Sequence, residues 1–316
     1  MVQQMSKKIK TICVVGPTAS GKTRLAAELA RELNGEVVSC DSVQIFKELD
    51  IGSAKPTWEE KLGVPHHMID IFEPENPFSA ADYAKRAADC ITEIVSRGKT
   101  PVIVGGTGLY FHSLIDPPGF SPAGADEEFR KKLRGKIKNG DDLHGMLFKT
   151  DPETAARLHP NDEKRIIRAL EVHHITGKPL SSFHGRPSDG LYEPLIFGLD
   201  ARERGFLYDR ISLRVDLMMK NGLLDEVERL CRANRLGPTA GKAIGYRQLV
   251  FFLEGKCGLN EAVELIKRET RRYAKRQLTW FRRDERIIWR YIDEQPFTEI
   301  IEDLLKTVNV FMKTVP

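Results

Sequence analysis

Short apolar runs alternate with longer amphipathic segments in the first third of the chain. Four of these runs have the length and composition of buried strands: 12–15 (ICVV), 37–40 (VVSC), 66–72 (HHMIDIF) and 101–104 (PVIV). Helical patterns separate them, one closed by Gly35, the other capped by Ser79 and closed by Gly98. Strands that alternate with helices predict a parallel sheet with crossover helices, and therefore an α/β fold.

The pattern changes between residues 116 and 190, where no clear strand is present and at least three helical segments follow one another. A turn-rich entry (DPPGFSPAGAD) and a turn-rich exit (GRPSDG) bound this stretch. The remaining elements are predicted as a strand at 194–200, helices at about 202–233, 240–254 and 259–283, a strand IIWRYI and a closing helix. We therefore predict that residues 1–116 and 191–316 form one core and that residues 117–190 form a mostly helical insertion domain.

The composition is that of a globular protein without a membrane partner. Hydrophobic residues make up 41% of the 316 residues. No apolar run approaches the roughly 20 residues that a membrane-spanning helix needs. The five cysteines are scattered and include no CxxC pair, which argues against a zinc site. Their odd number, and a start that leads directly into the first strand pattern, favour reduced thiols and a cytoplasmic location.

Positive charge is concentrated late in the chain. The net charge is +4, whereas residues 267–290 alone contain ten Lys or Arg and three Asp or Glu. Arg272 and Arg276 belong to a basic helical face in this stretch, and Tyr273 lies on a neighbouring stripe that is predicted to pack on the core. Such a basic face is either a solvated surface or one that follows a phosphate backbone.

Two further basic groups lie elsewhere. Lys164, Arg165 and Arg168 lie within one turn of one another on a predicted helix, and Ile166 and Ile167 are candidates for its buried side. The segment GKAIGYRQ adds two cations and a tyrosine near a helix start. Three basic groups with aromatic neighbours favour RNA over a small nucleotide as the partner.

The segment GPTASGKT at 16–23 lies between a predicted strand and a predicted helix and matches the pattern GxxxxGK[ST]. Its glycines let backbone N–H groups face phosphate oxygens, and the following helix adds its positive N-terminal end. Lys22 is placed to neutralise a terminal phosphate, and the Thr23 hydroxyl to bind Mg²⁺. The predicted phosphate site consists of Gly16, Pro17, Thr18, Ala19, Ser20, Gly21, Lys22 and Thr23.

Two arginines of a later predicted helix are candidates to reach the same phosphates. Arg210 and Arg214 are four residues apart and share a helical face. Either one is able to point at the phosphates, and the alternative is an ion pair within the helix to Asp209 or Asp216. The sequence leaves this choice open.

A carboxylate follows the second predicted strand. NTP-hydrolysing proteins usually place an acid at the end of a later hydrophobic strand, but here that strand ends in GGTG, which contains Thr107. Asp41, in SCDSVQ, is instead predicted at the carboxyl edge of the sheet, beside the phosphate loop. It is able to hold Mg²⁺ through water, to act as a general base or to cap a helix, and Ser42 and Gln44 add hydrogen-bonding groups.

Motifs along nearly the whole chain resemble those of one family. They are GPTASGKT (16–23), SCDSVQIFKELDIGSAKP (39–56), VPHHMIDI (64–71), PVIVGGTGLY (101–110), HPNDEKRIIRALE (159–171), RVDLMMKNGLLDEV (214–227), KAIGYRQ (242–248) and KRQLTWFRRD (275–284). In order and content they resemble the bacterial tRNA dimethylallyltransferases, the tRNA isopentenyl-diphosphate transferase family. Phe46 and Cys40 depart from the family pattern, which has tyrosine at the first position and often a small residue at the second.

The resemblance implies a P-loop NTPase-like parallel sheet core, a helical insertion that grips the tRNA anticodon arm, and dependence on Mg²⁺. It implies that dimethylallyl diphosphate donates its dimethylallyl group to N6 of the adenosine 3′ of the anticodon. Asp41 matches the family's general base, Thr107 the threonine near the reacting centre, and Ser20–Thr23 the diphosphate site. The segments that match tRNA contacts are Asp41, Ser42, Val43 and Gln44; Lys164, Arg165, Ile166, Ile167 and Arg168; and Lys242, Ala243, Ile244, Gly245, Tyr246 and Arg247. To these we add Arg272 and Arg276, and we expect a monomer.

The phosphate loop is thus predicted to hold a diphosphate that leaves. Lys22, Thr23, Mg²⁺ and one of the two arginines would stabilise the departing charge while Asp41 holds and deprotonates N6. Three alternatives remain: an ATP-dependent kinase for a small acceptor, a nucleotide-gated RNA-binding protein without catalysis, and prenyl transfer to a free adenine nucleotide. The basic groups and the insertion argue against both small acceptors, and Asp41 argues against a protein that only binds.

Overall fold

A computed structural model describes residues 8–117, 121, 123–183 and 190–314. The strands in this part of the chain are β1 (Ile9–Val15), β2 (Gly35–Ser39), β3 (His66–His67), β4 (Thr100–Gly105), β5 (Tyr192–Asp200) and β6 (Ile288–Tyr291). They form one sheet in the order β3-β2-β4-β1-β5-β6. Every neighbouring pair is parallel, which confirms the predicted α/β fold.

Helices make up most of the rest of the described chain. They are α1 (Lys22–Glu32), α2 (Ala80–Ser96), α3 (Gly108–Ile115), α4 (Glu127–Lys138), α5 (Leu143–Thr150), α6 (Pro152–Arg157), α7 (Glu163–Thr176), α8 (Arg204–Lys220), α9 (Leu223–Arg232), α10 (Tyr246–Leu253), α11 (Leu259–Phe281) and α12 (Phe297–Lys313). Short 3₁₀ turns lie at Leu180–Phe183 and Ala240–Lys242. Among these described helices, none is both long enough and apolar enough to cross a membrane.

Side chains of β1 alternate between two apolar layers, as the two-residue repeat of a strand requires. Cys13 and Val15 pack in one layer with residues of α2, α3 and α10. Ile12 and Val14 pack in the other with residues of α1 and α12. Because the strands are parallel, the loops after β1, β2 and β4 meet at the carboxyl edge of the sheet, where ligands bind in such folds.

Two predicted elements differ from the structure. The helix predicted at 202–233 is divided into α8 and α9, because Gly222 between them adopts a left-handed backbone conformation with φ +94°. The strand predicted at 66–72 extends only over His66–His67. Met68 and Asp70 have φ values of +62° and +57°, which a strand does not allow.

The chain divides into two compact units, Met1–Ile115 with Gly190–Pro316, and Asp116–Asp189. The second unit contains α4 to α7 around a core that includes Leu133, Leu147 and Leu170. Parts of the predicted turn-rich entry and exit, at 118–120, 122 and 184–189, lie outside the described residues. Whether the helical unit contacts tRNA stays a prediction.

Candidate active site

The phosphate loop between β1 and α1 uses backbone conformations that glycine favours. Gly16 has φ +137° and Gly21 has φ +91°. A Cβ at Gly16 would lie 2.3 Å from the carbonyl oxygen of Leu199 in β5, so no larger residue fits there. The loop therefore curls tightly at the sheet edge, and α1 begins at Lys22 with its N-terminal end facing the loop.

Two arginines of α8 hold the outside of this loop. Arg210 Nε donates to the carbonyl oxygen of Ala19 at 2.8 Å, and Arg214 Nη1 donates to Thr18 Oγ1 at 3.2 Å. Arg210 is exposed, whereas Arg214 is half-buried and lines the cavities described below. Inside the loop, the Ser20 hydroxyl donates to the Pro17 carbonyl at 2.9 Å, so Ser20 stabilises the loop with its side chain.

Lys22 is partly buried at the start of α1, where its ammonium donates to the carbonyl oxygen of Pro17. Burial and the nearby charge of Arg214 lower the pKa of Lys22 to about 7, and the charge of Asp41 opposes this shift. An anion bound at the loop would favour the protonated form. Lys22 and Thr23 line a cavity of about 90 Å³ together with Asp41 and Arg214.

Asp41 lies just after β2, and its side chain accepts hydrogen bonds from the turn that follows it. In the part of the chain that the structure describes, Asp41 Oδ1 accepts hydrogen bonds from the backbone N–H groups of Val43 at 2.8 Å and Gln44 at 3.3 Å. Both of these bonds are made to Oδ1, and Asp41 also lines the smaller cavity. Residues 42–45 form a turn and not a helix, so Asp41 caps a turn instead of a helix, and its catalytic role stays a prediction.

Thr107 lies in the turn after β4 and is joined to the Asp41 turn. The Ser42 backbone N–H donates to Thr107 Oγ1 at 3.1 Å, and the Thr107 N–H donates to the Cys40 carbonyl at 3.3 Å. The hydroxyl of Tyr273, from α11, lies near the Thr107 side chain. Burial, and then the charge of Asp41, raise the pKa of Tyr273 to about 12, so it is a neutral hydroxyl at physiological pH.

A larger cavity of about 290 Å³ opens beside these groups. Its lining includes Thr18, Arg214, Asp41–Val43, Lys242–Gly245 and Arg276. Tyr273 lines both this cavity and the smaller one. Predicted phosphate residues and predicted tRNA residues therefore share one cavity, although their segments are far apart in the sequence.

Two predicted tRNA residues of the core are held inside the protein. Tyr246 is fully buried, and its hydroxyl donates to Glu226 Oε1 at 2.6 Å. The Gln44 amide accepts from the Ser39 hydroxyl at 2.9 Å and donates to the Ala54 carbonyl at 3.1 Å. The structure corrects the expectation for the Tyr246 side chain, which has no surface to offer to RNA.

Glu226 of α9 is a structural residue that the sequence did not reveal. Its buried carboxylate accepts hydrogen bonds from the backbone N–H groups of Asp50 at 3.0 Å, Ile51 at 2.8 Å and Gly52 at 3.2 Å, in addition to the Tyr246 hydroxyl. It thereby joins the loop that carries Gly52 to the start of α10. Both segments border the larger cavity.

The remaining predicted cations of the core are exposed. Lys242, Arg247, Arg272 and Arg276 all reach solvent, and Lys242 and Arg276 also line the larger cavity. Arg272 Nη1 pairs with Glu269 at 2.7 Å on the same helix.

In the helical unit, residues 164–168 are predicted to contact tRNA. Two of these side chains are exposed, and the other three make contacts within the unit. Lys164 and Arg165 are exposed, and Arg165 pairs with Asp162 at 2.7 Å. The side chains of Ile166 and Ile167 are buried in the core of this unit. Arg168 pairs with the fully buried Glu171 at 2.6 Å and donates to the carbonyls of Ala123 and Gly124. The expectation of RNA contacts is thus corrected for the two isoleucine side chains. Arg168 makes its contacts within the protein and so stabilises the helical unit.

The chain is similar to known proteins over nearly its whole length. Residues 44–284 match the family model described as IPP transferase. The tRNA dimethylallyltransferase of Carboxydothermus hydrogenoformans is 49% identical over 310 residues, which cover 97% of this chain and 99% of that protein. The crystal structure of the tRNA isopentenylpyrophosphate transferase from Bacillus halodurans is 42% identical, with a TM-score of 0.72 and 96% of each chain covered.

A crystallographic study of a eukaryotic dimethylallyltransferase acting on tRNA provides a more distant neighbour. It is 28% identical, with a TM-score of 0.80, and the match covers 98% of this chain and 80% of that one. These matches extend over almost the entire chain and confirm the resemblance seen in the motifs. The chain therefore belongs to the IPP transferase family, a family of transferases.

Proposed function

We propose that this protein transfers a dimethylallyl group from dimethylallyl diphosphate to N6 of the adenosine 3′ of the anticodon in tRNA, and releases diphosphate. One observation carries the proposal: Thr18 of the phosphate loop and Asp41 line the same cavity, and Thr107 is bonded to Ser42 next to Asp41. The names of the relatives supply the donor and acceptor classes. The substrate makes the cytoplasm the expected location.

The loop is suited to a diphosphate that departs. Lys22 and Arg214 bring positive charge to the smaller cavity, and the start of α1 adds its N–H groups. Charge that builds up on the leaving oxygens would be stabilised by groups already in place. Arg210 would act indirectly, since it holds Ala19 and is exposed away from the cavities.

The dimethylallyl group would occupy the apolar part of the larger cavity. Val215 and Met218 of α8 and Ile266 of α11 line that part. An allylic carbon placed between the phosphate loop and Asp41 would face a nucleophile on one side and its leaving group on the other. Such alignment lowers the barrier for a weakly nucleophilic amine.

Asp41 would orient N6 of the adenine and take its proton. Oδ1 is fixed by the turn, so the carboxylate needs no reorganisation to present Oδ2. Thr107 and Tyr273 are neutral hydroxyls beside it and are able to orient the base. The acid then serves an amine nucleophile, which explains why no acid is needed for a hydrolytic water.

The donor atoms present fit Mg²⁺. The smaller cavity is lined by Thr23, Ser39 and Asp41, whose side chains carry hard oxygen atoms; Thr23 would bind the ion directly and Asp41 through a water. Mg²⁺ usually takes one or two protein ligands and keeps several waters, together with phosphate oxygens. Bound there, the ion would neutralise charge on the departing diphosphate.

The tRNA would bind through exposed cations around the larger cavity. Lys242 and Arg276 border it directly, while Arg247 and Arg272 lie on the same two segments. The helical unit offers Lys164 and Arg165. A base that enters the cavity must leave the anticodon-loop stack at a cost of a few kcal/mol, which phosphate contacts would offset.

Acceptor competition tests this function. The protein would be given labelled dimethylallyl diphosphate and Mg²⁺ with three acceptors: unmodified tRNA with adenosine 3′ of the anticodon, the same tRNA with guanosine there, and free AMP. We expect label only in the first tRNA, recovered as N6-isopentenyladenosine after digestion. Label in AMP alone would replace the proposal with nucleotide prenylation, and label in both tRNAs would refute the assigned position.

A further inference from the structure

We propose that Gln277 is a positioning residue that sets the separation between the phosphate loop and the Thr107 turn during prenyl transfer. This inference rests on the proposed function, because it concerns the same reaction. Gln277 lies on α11, four residues after Tyr273, and only 5% of its surface is exposed.

Its side-chain amide bridges two loops that follow neighbouring strands. Oε1 accepts a hydrogen bond from the backbone N–H of Thr18 in the phosphate loop at 2.9 Å. Nε2 donates to the carbonyl oxygen of Gly106, in the turn after β4, at 2.8 Å. One planar group therefore spans the space between the side that would hold the diphosphate and the side that carries Thr107.

The turn after β4 packs tightly against the side-chain amide of Gln277. A Cβ at Gly106 would lie 2.1 Å from Gln277 Nε2 and 3.3 Å from the carbonyl oxygen of Gly16. The turn approaches the amide this closely only because Gly106 has no side chain. A shift of either loop would consequently break one of the two hydrogen bonds.

The chemistry of the bridge selects glutamine. The Thr18 N–H requires an acceptor and the Gly106 carbonyl requires a donor, and a neutral side-chain amide supplies both. Thr107 follows Gly106 directly and is bonded to Ser42, beside Asp41. Gln277 lines the smaller cavity but not the larger one, and it acts on the reacting groups of the larger cavity through the backbone.

Gln277→Met tests the role, because methionine has a similar length and removes both hydrogen bonds. We expect the single-turnover rate at saturating donor and tRNA to fall about 10- to 100-fold, with the Kd for tRNA and the KM for donor changed less than about threefold. Val308→Ala is the control for stability. Val308 is fully buried in α12, so we expect Val308→Ala to lower Tm and to retain the single-turnover rate.

Gln277→Glu separates positioning from packing. An ionised carboxylate still accepts from Thr18 but has no proton for the Gly106 carbonyl, whereas the protonated acid reproduces both bonds. The ratio of the variant rate to the wild-type rate should therefore rise as the pH falls from about 8 to about 6. Wild-type rates in both variants, or a loss matched by Val308→Ala at equal Tm, would overturn the role of Gln277. Absence of transfer by the wild type would instead overturn the proposed function.

Discussion

Asp41 and Thr107 are held together by the backbone of Ser42, which follows Asp41 and donates to Thr107 Oγ1 at 3.1 Å. The carboxylate also accepts from Val43 and Gln44 in the same turn. Asp41 lines both cavities and Thr107 is joined to its turn, so backbone groups set the orientations of two side chains that are distant in the sequence. A base held in this way is preorganised, which is the condition under which electrostatic catalysis is strong.

Asp41→Asn should separate catalysis from binding. Asparagine Oδ1 still accepts from Val43 and Gln44, so the turn is retained, but the basic oxygen is lost. We expect turnover to fall by about 10²- to 10⁴-fold, while the Kd for tRNA changes by less than about threefold. Steady-state rates and a filter-binding assay would check both. Turnover equal to that of the wild type would remove Asp41 from the role of base.

Binding of diphosphate to the phosphate loop should weaken as the pH rises above neutrality. The pKa of Lys22 is lowered to about 7, so above that pH the free protein must take up a proton to present the charged ammonium. The Kd of inorganic diphosphate, measured with a chelator present, should rise by up to about tenfold per pH unit above 7. Calorimetry in buffers of different ionisation enthalpy would count the proton. Lys22→Met should abolish the dependence, and a flat profile in the parent protein would contradict this account.

The same shift has a defined consequence for stability. The unfolded chain keeps the lysine proton up to the ordinary pKa of 10.5, whereas the folded chain releases it near 7. The unfolded state thus binds more protons in this window, and the contribution of Lys22 to the free energy of unfolding increases with pH. Chemical denaturation from neutral to alkaline pH would measure this. The free energy of unfolding should rise more steeply with pH in the parent protein than in Lys22→Met.

Tyr246→Phe should destabilise the core without removing a contact to RNA. The change deletes the hydrogen bond to Glu226 and leaves a buried carboxylate with one fewer donor. We expect the free energy of unfolding to fall by about 1 to 3 kcal/mol. Urea denaturation would measure the loss, and the salt dependence of tRNA binding should stay unchanged. A reduced salt slope with full stability would show that the tyrosine contacts RNA after all.

Arg276 and Arg272 should contribute unequally to tRNA affinity. Arg276 lines the larger cavity, whereas Arg272 already pairs with Glu269. Arg276→Ala should weaken binding and reduce the slope of log Kd against log salt by about 1, and Arg272→Ala should have a smaller effect. Identical slopes for Arg276→Ala and the wild type would exclude that phosphate contact.

Local pattern was sufficient to predict the sheet and the phosphate loop. Strand and helix repeats report which face of each segment is buried, and β1, β2 and β4 were recognised in this way. The glycines of the loop are dictated by conformation, as Gly16 shows. The break at Gly222 was missed because apolar positions continue through α8 and α9.

Long-range polar contacts were not predictable from local pattern. Gln277 is 259 positions from Thr18, and the backbone partners of Glu226 lie 174 to 176 positions away. A polar residue within an amphipathic helix carries no local sign of such a partner. The resemblance to the family assigned RNA contacts to whole motifs and not to single side chains. Tyr246 was therefore included in the predicted RNA surface although its side chain is buried.

The central claim is that the loop holds a diphosphate that is discarded and not transferred. It is tested most directly with dimethylallyl diphosphate that carries radioactive carbon in the dimethylallyl group and radioactive phosphorus in the diphosphate. The donor would be incubated with unmodified tRNA and Mg²⁺ in the absence of ATP. We predict carbon label in the tRNA and an equal amount of phosphorus label as free diphosphate. Phosphorus label in the tRNA, or diphosphate release without carbon transfer, would contradict the account.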